Sequence, residues 1–111
     1  MVTVTEITNY SDYKSFKEAD DNILRVLKLG APWCGPCRML SNTISNLNED
    51  KVGSTIFAEI DIDGDGLDDV VSELNIRNIP VTLFIKNGVI LEKKVGSIQE
   101  NDIYNIINNN Q

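Results

Sequence analysis

Two cysteines separated by two residues, Cys34 and Cys37, are the side chains best suited to chemistry in this chain. A thiol attacks a disulfide only as the thiolate, so such chemistry requires a site that lowers a cysteine pKa. Zinc is the other common use of close cysteines, but it normally takes four ligands from cysteine and histidine. The chain has no histidine and no third cysteine, which leaves only a metal cluster shared between two chains. We therefore expect dithiol chemistry and no metal.

The residues around the pair predict a buried strand followed by a helix. Residues Ile23–Leu29 form a short, mostly apolar run, as in a strand buried on both faces. From Cys34 to Leu47, apolar side chains recur every three or four residues, which is the helical period. Cys34 thus lies at a helix N-terminus, where unpaired amides and the helix dipole favour an anion. We assign Cys34 as the nucleophile and Cys37 as the resolving thiol.

The two residues between the cysteines fit this position. Gly35 allows close approach of another backbone, and Pro36 is tolerated in the first helical turn, where its missing N–H needs no partner. A Cys-x-x-Cys motif alone could equally be a chance pair or a metal half-site, so by itself it gives redox chemistry only about even odds. Its place between a buried strand and a helix, in a chain without histidine, favours redox chemistry.

The remaining pattern predicts one α/β domain over residues 1–111. Strands are expected at Thr3–Ile7, Thr55–Ile60, Val81–Ile85 and Val89–Val95, and helices at Asp12–Glu18 (capped by Ser11), Leu67–Leu74 and Ile98–Ile107. Alternation of strand and helix predicts parallel pairing, whereas the Asn-Gly pair at 87–88 predicts an antiparallel hairpin. The expected fold is a mixed central sheet of about five strands flanked by helices on both faces.

Composition argues against several kinds of partner. The formal net charge of −7 opposes nucleic-acid binding, because that affinity comes largely from Lys and Arg neutralising phosphates. No apolar run approaches the roughly 18 residues of a membrane span, and the N-terminus lacks the basic start and apolar run of a secretory signal. We expect a cytoplasmic monomer with no nucleic-acid or membrane partner.

Residues 31–39, APWCGPCRM, resemble the active-site motif of thioredoxins. The resemblance continues through Ile76–Pro80, Lys86–Gly88 and Lys94–Gly96, and so covers nearly the whole chain. It implies a thioredoxin fold and the activity of a general protein disulfide reductase, with no cofactor besides a redox-active Cys34–Cys37 disulfide. The implied partners are disulfide-containing protein substrates and a thioredoxin reductase or another thiol donor.

The same resemblance implies a substrate groove beside the cysteines. Ile79 and Pro80, joined by a cis peptide bond, would face the cysteines and offer backbone groups to an extended peptide. Only about 5–6% of X-Pro bonds are cis in folded proteins, so a trans proline is the ordinary alternative. Trp33 and Gly96 would border the groove instead of being a packed aromatic and a turn glycine. The expected substrate contacts are Trp33, Gly35, Pro36, Ile79, Pro80 and Gly96.

Three positions depart from the family pattern. Most thioredoxins carry a buried aspartate six residues before the nucleophilic cysteine and commonly a lysine on the adjacent strand; here Lys28 and Glu59 occupy these positions. We expect a reversed, partly buried ion pair, because either charge alone in an apolar interior is costly. Glu59 is the candidate general base for Cys37, and Lys28 would lower the thiol pKa or act as a base itself. The alternative is a snorkelling Lys28 and an exposed Glu59.

The third departure is Gly30, where many bacterial members have a tryptophan; its absence should open the flank of the groove. Other functions have weaker support. The turn Asp61–Gly66 imitates the start of a calcium loop, but Ser72 stands where position twelve requires Glu. A disulfide oxidant or isomerase is disfavoured because Gly-Pro between the cysteines resembles the reducing members. A redox-incidental interaction module is the alternative from a different class.

Overall fold

The computed structural model describes residues 1–111 as five strands and five helices around one sheet. In chain order these are β1 Val4–Glu6, α1 Tyr10–Glu18, β2 Arg25–Gly30, α2 Gly35–Ser45, α3 Glu49–Val52, β3 Ile56–Asp61, α4 Asp68–Glu73, β4 Val81–Lys86, β5 Val89–Val95 and α5 Glu100–Asn109. The strand order is β1-β3-β2-β4-β5. Strands β1, β3 and β2 pair in parallel, and β4 pairs antiparallel with β2 and β5. The predicted mixed sheet and hairpin are confirmed.

The alternation of side chains along β2 explains how the sheet packs against helices on both of its faces. Successive side chains of a strand point to opposite faces. Leu27 and Leu29 pack in the core under α1 and α4, and Val26 packs in the core under α2 and α5. Lys28 follows the same alternation and therefore lies on the Val26 face, which α2 covers. Its place in the sheet brings this charged side chain to the helix that carries the cysteines.

The helices differ in detail from the sequence-based predictions; α5, for example, begins at Glu100 and not at Ile98. Helix α1 begins earlier, because Asn9 and not Ser11 is its N-cap, with the Asn9 Oδ1 accepting a hydrogen bond from the Asp12 amide at 2.8 Å. The segment after α2 contains a further short helix, α3, whose start is capped by the Asn48 side chain. Both caps follow the preference for a short polar side chain at this position. None of the helices has the length and apolar character needed to cross a bilayer.

Candidate active site

Cys34 and Cys37 form a disulfide at the start of α2. Cys34 is the N-cap of this helix, and its Sγ accepts a hydrogen bond from the Cys37 amide at 3.2 Å. The exposed fraction is 7% for Cys34 and 0% for Cys37. A sulfur that receives an amide hydrogen bond at a helix N-terminus is well placed to carry negative charge. An attacking group from outside can therefore reach Cys34, whereas Cys37 is accessible only to Cys34.

The residues between the cysteines leave the site open. Pro36 occupies the first turn of α2, where its lack of an N–H costs no hydrogen bond. A Cβ atom placed on Gly35 would meet no atom within 4 Å. Nothing within the chain thus requires glycine at position 35, and the space beside it is free for the backbone of another molecule.

The Ile79–Pro80 segment lies against the disulfide. The peptide bond between these residues is cis, as the resemblance implied, and Ile79 packs on the small apolar cluster that contains both cysteines. The Gly96 amide donates to the Pro80 carbonyl at 2.8 Å, which brings Gly96 to the same edge. Gly96 has φ +91°, a conformation that favours glycine. The structure therefore brings Ile79, Pro80 and Gly96 together near Cys34.

Trp33 stands at the surface next to Cys34. Its side chain is 68% exposed, which is inconsistent with the alternative of a packed aromatic. The indole Nε1–H donates to Asp63 Oδ2 at 2.6 Å. Asp63 belongs to the acidic turn that imitates a calcium loop, but the carboxylates of that turn do not converge on a common point. The turn instead supplies an acceptor that orients Trp33.

Lys28 and Glu59 form the predicted reversed ion pair on the α2 face of the sheet. They are direct neighbours across β2 and β3, and their Nζ and Oε2 atoms are 3.9 Å apart. Lys28 Nζ donates to Ser41 Oγ at 2.7 Å, and the Ser41 hydroxyl donates to Glu59 Oε2 at 3.1 Å. We call these three residues, Lys28, Ser41 and Glu59, the Lys28 cluster. The lysine side chain is only 8% exposed and that of Glu59 is 36% exposed, so Lys28 does not snorkel into solvent.

The environment of Lys28 disfavours its charge. Burial lowers the lysine pKa from its ordinary value of 10.5, because desolvation penalises the ammonium. The carboxylates of Glu59 and Asp61 oppose this effect by attracting the positive charge. The side chain is therefore easier to deprotonate than an ordinary lysine, although two acidic groups help to retain its proton.

Gly30 permits close approach between Lys28 and the buried cysteine. A Cβ atom at position 30 would lie 2.9 Å from Cys37 Sγ and 3.1 Å from Lys28 Cε. Real Cβ atoms do not approach other atoms this closely, so a larger residue would displace one of these side chains. Gly30 also borders a polar cavity of about 500 Å³, together with Pro32 and Arg38. The space that a side chain at position 30 would take is thus filled by Cys37 and Lys28, and the effect of Gly30 on the substrate groove stays a prediction.

Sequence reasoning missed two hydroxyl groups in this region. Ser41 lies four residues after Cys37 on α2, a spacing that places both on one helix face and could have indicated its role. Thr82 pairs with Lys28 across β2 and β4. Its Oγ1 is buried and makes no hydrogen bond. An unpartnered buried hydroxyl is unusual, and here it lies beside the buried lysine.

Known proteins match both the chain and its fold. The family model described as Thioredoxin matches residues 4–109. The thioredoxin of Rickettsia bellii is 33% identical over 105 residues, covering 93% of this chain and 97% of that protein. The thioredoxin of Haemophilus influenzae is 30% identical, covering 90% and 91%. Oxidised thioredoxin O2 from Arabidopsis thaliana matches with a TM-score of 0.81 at 27% identity, covering 96% and 92%. The chain therefore belongs to the thioredoxin family, and its Cys34–Cys37 pair makes it a protein-disulfide oxidoreductase.

Proposed function

We propose that residues 1–111 act as one monomeric thioredoxin domain that reduces disulfides in other cytoplasmic proteins. Electrons come from a thioredoxin reductase or another thiol donor, and no cofactor is needed besides the domain's own disulfide. The observation that carries this proposal is the unequal exposure of the two cysteines: Cys34 keeps a 7% exposed fraction, and Cys37 is fully buried behind it. This arrangement supports an ordered exchange in which one sulfur meets the substrate and the other releases it.

The exchange proceeds in two displacements. The Cys34 thiolate attacks one sulfur of the substrate disulfide, and the other substrate sulfur leaves as a thiolate that takes up a proton. The Cys37 thiol then loses its proton, attacks Cys34 Sγ and releases the second substrate sulfur as a thiolate, which is also protonated. Two electrons pass to the substrate, and the Cys34–Cys37 disulfide is formed. A donor restores the dithiol by supplying two electrons and two protons.

The groove residues are proposed to hold the substrate next to Cys34. The backbone N–H and C=O groups of Ile79 make no hydrogen bond within the chain, so they are free to pair with an extended peptide. Trp33 supplies an exposed aromatic surface whose orientation is held by Asp63. The proposed contact set is Trp33, Gly35, Pro36, Ile79, Pro80 and Gly96.

Lys28 and Glu59 are proposed to manage the proton of Cys37. The Lys28 side chain approaches Cys37 over Gly30, and a nearby cation favours the thiolate. Glu59 makes its contacts to Ser41 and Lys28. It is the more exposed member of the pair and the one in contact with solvent. In this proposal Lys28 acts on Cys37 Sγ by its charge, and Glu59 is the general base for the Cys37 proton.

Reduction of insulin by excess dithiothreitol tests the function. The wild-type chain should accelerate the reaction catalytically, Cys34→Ser should abolish the acceleration, and Cys37→Ser should accumulate a mixed disulfide through Cys34. Ser45→Ala, a substitution further along α2, serves as a control for handling and folding. Failure of the wild-type chain to accelerate insulin reduction would contradict the proposal and favour a binding module.

A further inference from the structure

We propose that Ser41 is a positioning residue for the resolving cysteine: its hydroxyl holds the Lys28 ammonium below Cys37 and links it to Glu59. The inference rests on the proposed roles of Cys37 and Lys28, and it adds a third residue to them. Ser41 contacts no substrate and no reacting sulfur in this assignment. It acts through Lys28.

The position of Ser41 follows from the geometry of α2. A residue four positions after Cys37 lies one turn further along the same helix face. That face covers the side of the sheet from which Lys28 and Glu59 project. Ser41 is therefore the first α2 residue after Cys37 that can meet both side chains, and it contacts both.

The hydrogen bonds of Ser41 have a defined direction. Its Oγ accepts from Lys28 Nζ at 2.7 Å, and its proton goes to Glu59 Oε2 at 3.1 Å. The direct distance between Nζ and Oε2 is 3.9 Å, which is longer than either hydrogen bond. Ser41 is thus the principal link between the two charges, and an oxygen whose own proton is given to a carboxylate is a strong acceptor for an ammonium.

The cavity explains why Lys28 needs a fixed partner. Lysine carries its charge on a flexible four-carbon stem, and the charged groups lining the cavity around it come from three elements. They are Glu6 on β1, Arg38 on α2, and Glu59 and Asp61 on β3. Without the Ser41 hydroxyl, the ammonium would be drawn towards the β3 carboxylates and pushed by Arg38. The Ser41 hydrogen bond retains it near Gly30, where its stem approaches Cys37.

The consequence concerns the ionisation of Cys37. Attack on the mixed disulfide requires the Cys37 thiolate. Moving the cation away from a buried sulfur raises the thiol pKa, and each pKa unit reduces the thiolate fraction tenfold below that pKa. The maximal rate, reached when the thiol is fully ionised, is retained or slightly raised, because a thiolate of higher pKa is a somewhat stronger nucleophile.

The test is the pH profile of mixed-disulfide resolution. The reduced protein is mixed with Ellman's reagent, and release of the chromophoric thiolate by Cys37 is followed in a stopped-flow instrument across pH. Ser41→Ala should move the midpoint to higher pH and slow the step about threefold at neutral pH, with the alkaline plateau retained or slightly raised. Ser41→Thr, which keeps the hydroxyl, should restore the wild-type midpoint.

Two further variants separate positioning from general stability. Ser45→Ala is a matched control, because Ser45 lies one turn further along α2 and its hydroxyl bonds only the Asn42 carbonyl. It should leave the midpoint unchanged. Lys28→Gln should shift the midpoint as Ser41→Ala does, and the double variant should shift it no further than Lys28→Gln alone.

An unchanged midpoint in Ser41→Ala would overturn the assignment, even if the plateau fell, because a merely structural role would lower the plateau. Additive shifts in the double variant would also overturn it. Failure of the wild-type chain to reduce insulin would instead refute the proposed function. An unchanged Ser41→Ala midpoint with normal wild-type turnover would refute only the role of Ser41.

Discussion

Two polar clusters lie on opposite faces of the sheet, and in each of them at least one hydroxyl group donates to a carboxylate. They differ in how well their polar groups are satisfied. The Lys28 cluster lies under α2, and the Glu73 cluster, formed by Tyr10, Tyr13 and Glu73, joins α1 to α4. In the Glu73 cluster the Tyr10 and Tyr13 hydroxyls donate to separate oxygens of one exposed carboxylate, at 2.6 and 2.8 Å. Every group there has a partner.

The Lys28 cluster is less well satisfied. It contains a buried cation whose pKa is lowered by desolvation, and the hydroxyl of neighbouring Thr82 has no partner. Buried charges and unpartnered hydroxyls cost free energy. The difference teaches that the face carrying the cysteines tolerates unfavourable burial, whereas the other face satisfies its polar groups. Such local violations are expected where function requires them.

The largest effect should come from replacing the buried cation. Lys28→Met should raise the free energy of unfolding by about 2 kcal/mol at neutral pH, less than the most that replacing a whole buried ion pair can give, because an apolar side chain replaces a desolvated charge. Glu59 is left unpaired, but it is exposed enough to be hydrated. Urea denaturation of the oxidised protein, followed by circular dichroism, measures the change. Lower stability in Lys28→Met would show that the ion pair is a net stabiliser.

The stability difference between wild type and Lys28→Met should also depend on pH, and its sign follows from the pKa of Lys28. Since the folded-state pKa of Lys28 lies below 10.5, the unfolded chain binds more protons between the two values. Wild-type stability therefore rises with pH across this interval relative to Lys28→Met. The extra stability of Lys28→Met should be full below the folded-state pKa of Lys28 and should disappear as pH approaches 10.5. A constant advantage would mean that the gain comes from packing.

On the opposite face, loss of a partnered hydroxyl should destabilise the chain without affecting its chemistry. Tyr13→Phe removes a hydrogen bond to a carboxylate and should lower the free energy of unfolding by about 1.5 kcal/mol. Tyr10→Phe is the matched control and should cost less, because its hydrogen bond is exposed. Insulin reduction should be unchanged in both. A loss of insulin reduction in Tyr13→Phe would show that the Glu73 cluster also serves the chemistry.

The Thr82 hydroxyl should behave in the opposite way to that of Tyr13. Thr82→Val keeps the shape of the side chain and removes an unpartnered buried oxygen, so it should stabilise the oxidised protein by about 1 kcal/mol. Thermal and urea unfolding measure this gain. Destabilisation instead would indicate that the hydroxyl has a partner, such as a buried water.

The smallest effect should be the acid sensitivity of the Glu73 cluster. Hydrogen bonds from Tyr10 and Tyr13 lower the pKa of Glu73 below its ordinary 4.5. Its contribution to stability is thus present above that value and is lost as pH falls through the folded-state pKa. The stability difference between wild type and Glu73→Gln should narrow on acidification. A stability difference that does not change with pH would show that the charge of Glu73 does not contribute to it.

The sequence predicted what depends on local signals. Apolar runs and helical periodicity located the central strands and α2, and the Asn87-Gly88 pair located the hairpin. Spacing and helix position were enough to single out Cys34 and Cys37 as the redox pair. The reversed charges at Lys28 and Glu59 could be recognised because family members carry the opposite charges there.

The rest depended on neighbours distant in the chain. Ser41 is an ordinary helical serine until the packing of α2 on the sheet brings it to Lys28. Thr82 looks like any strand threonine until the register of β2 and β4 places it opposite Lys28. Asp63 gained a role only when its turn met Trp33. A polar side chain takes its function from its partners, and those partners are determined by tertiary packing.

The reduction potential of the Cys34–Cys37 couple tests the central claim most directly. The protein is equilibrated in thiol/disulfide buffers while the fluorescence of Trp33, the single tryptophan, reports the fraction reduced. A thioredoxin-type reductase predicts a value near about −270 mV despite the buried Lys28. A value near about −180 or −120 mV would contradict the account and indicate a disulfide isomerase or oxidant.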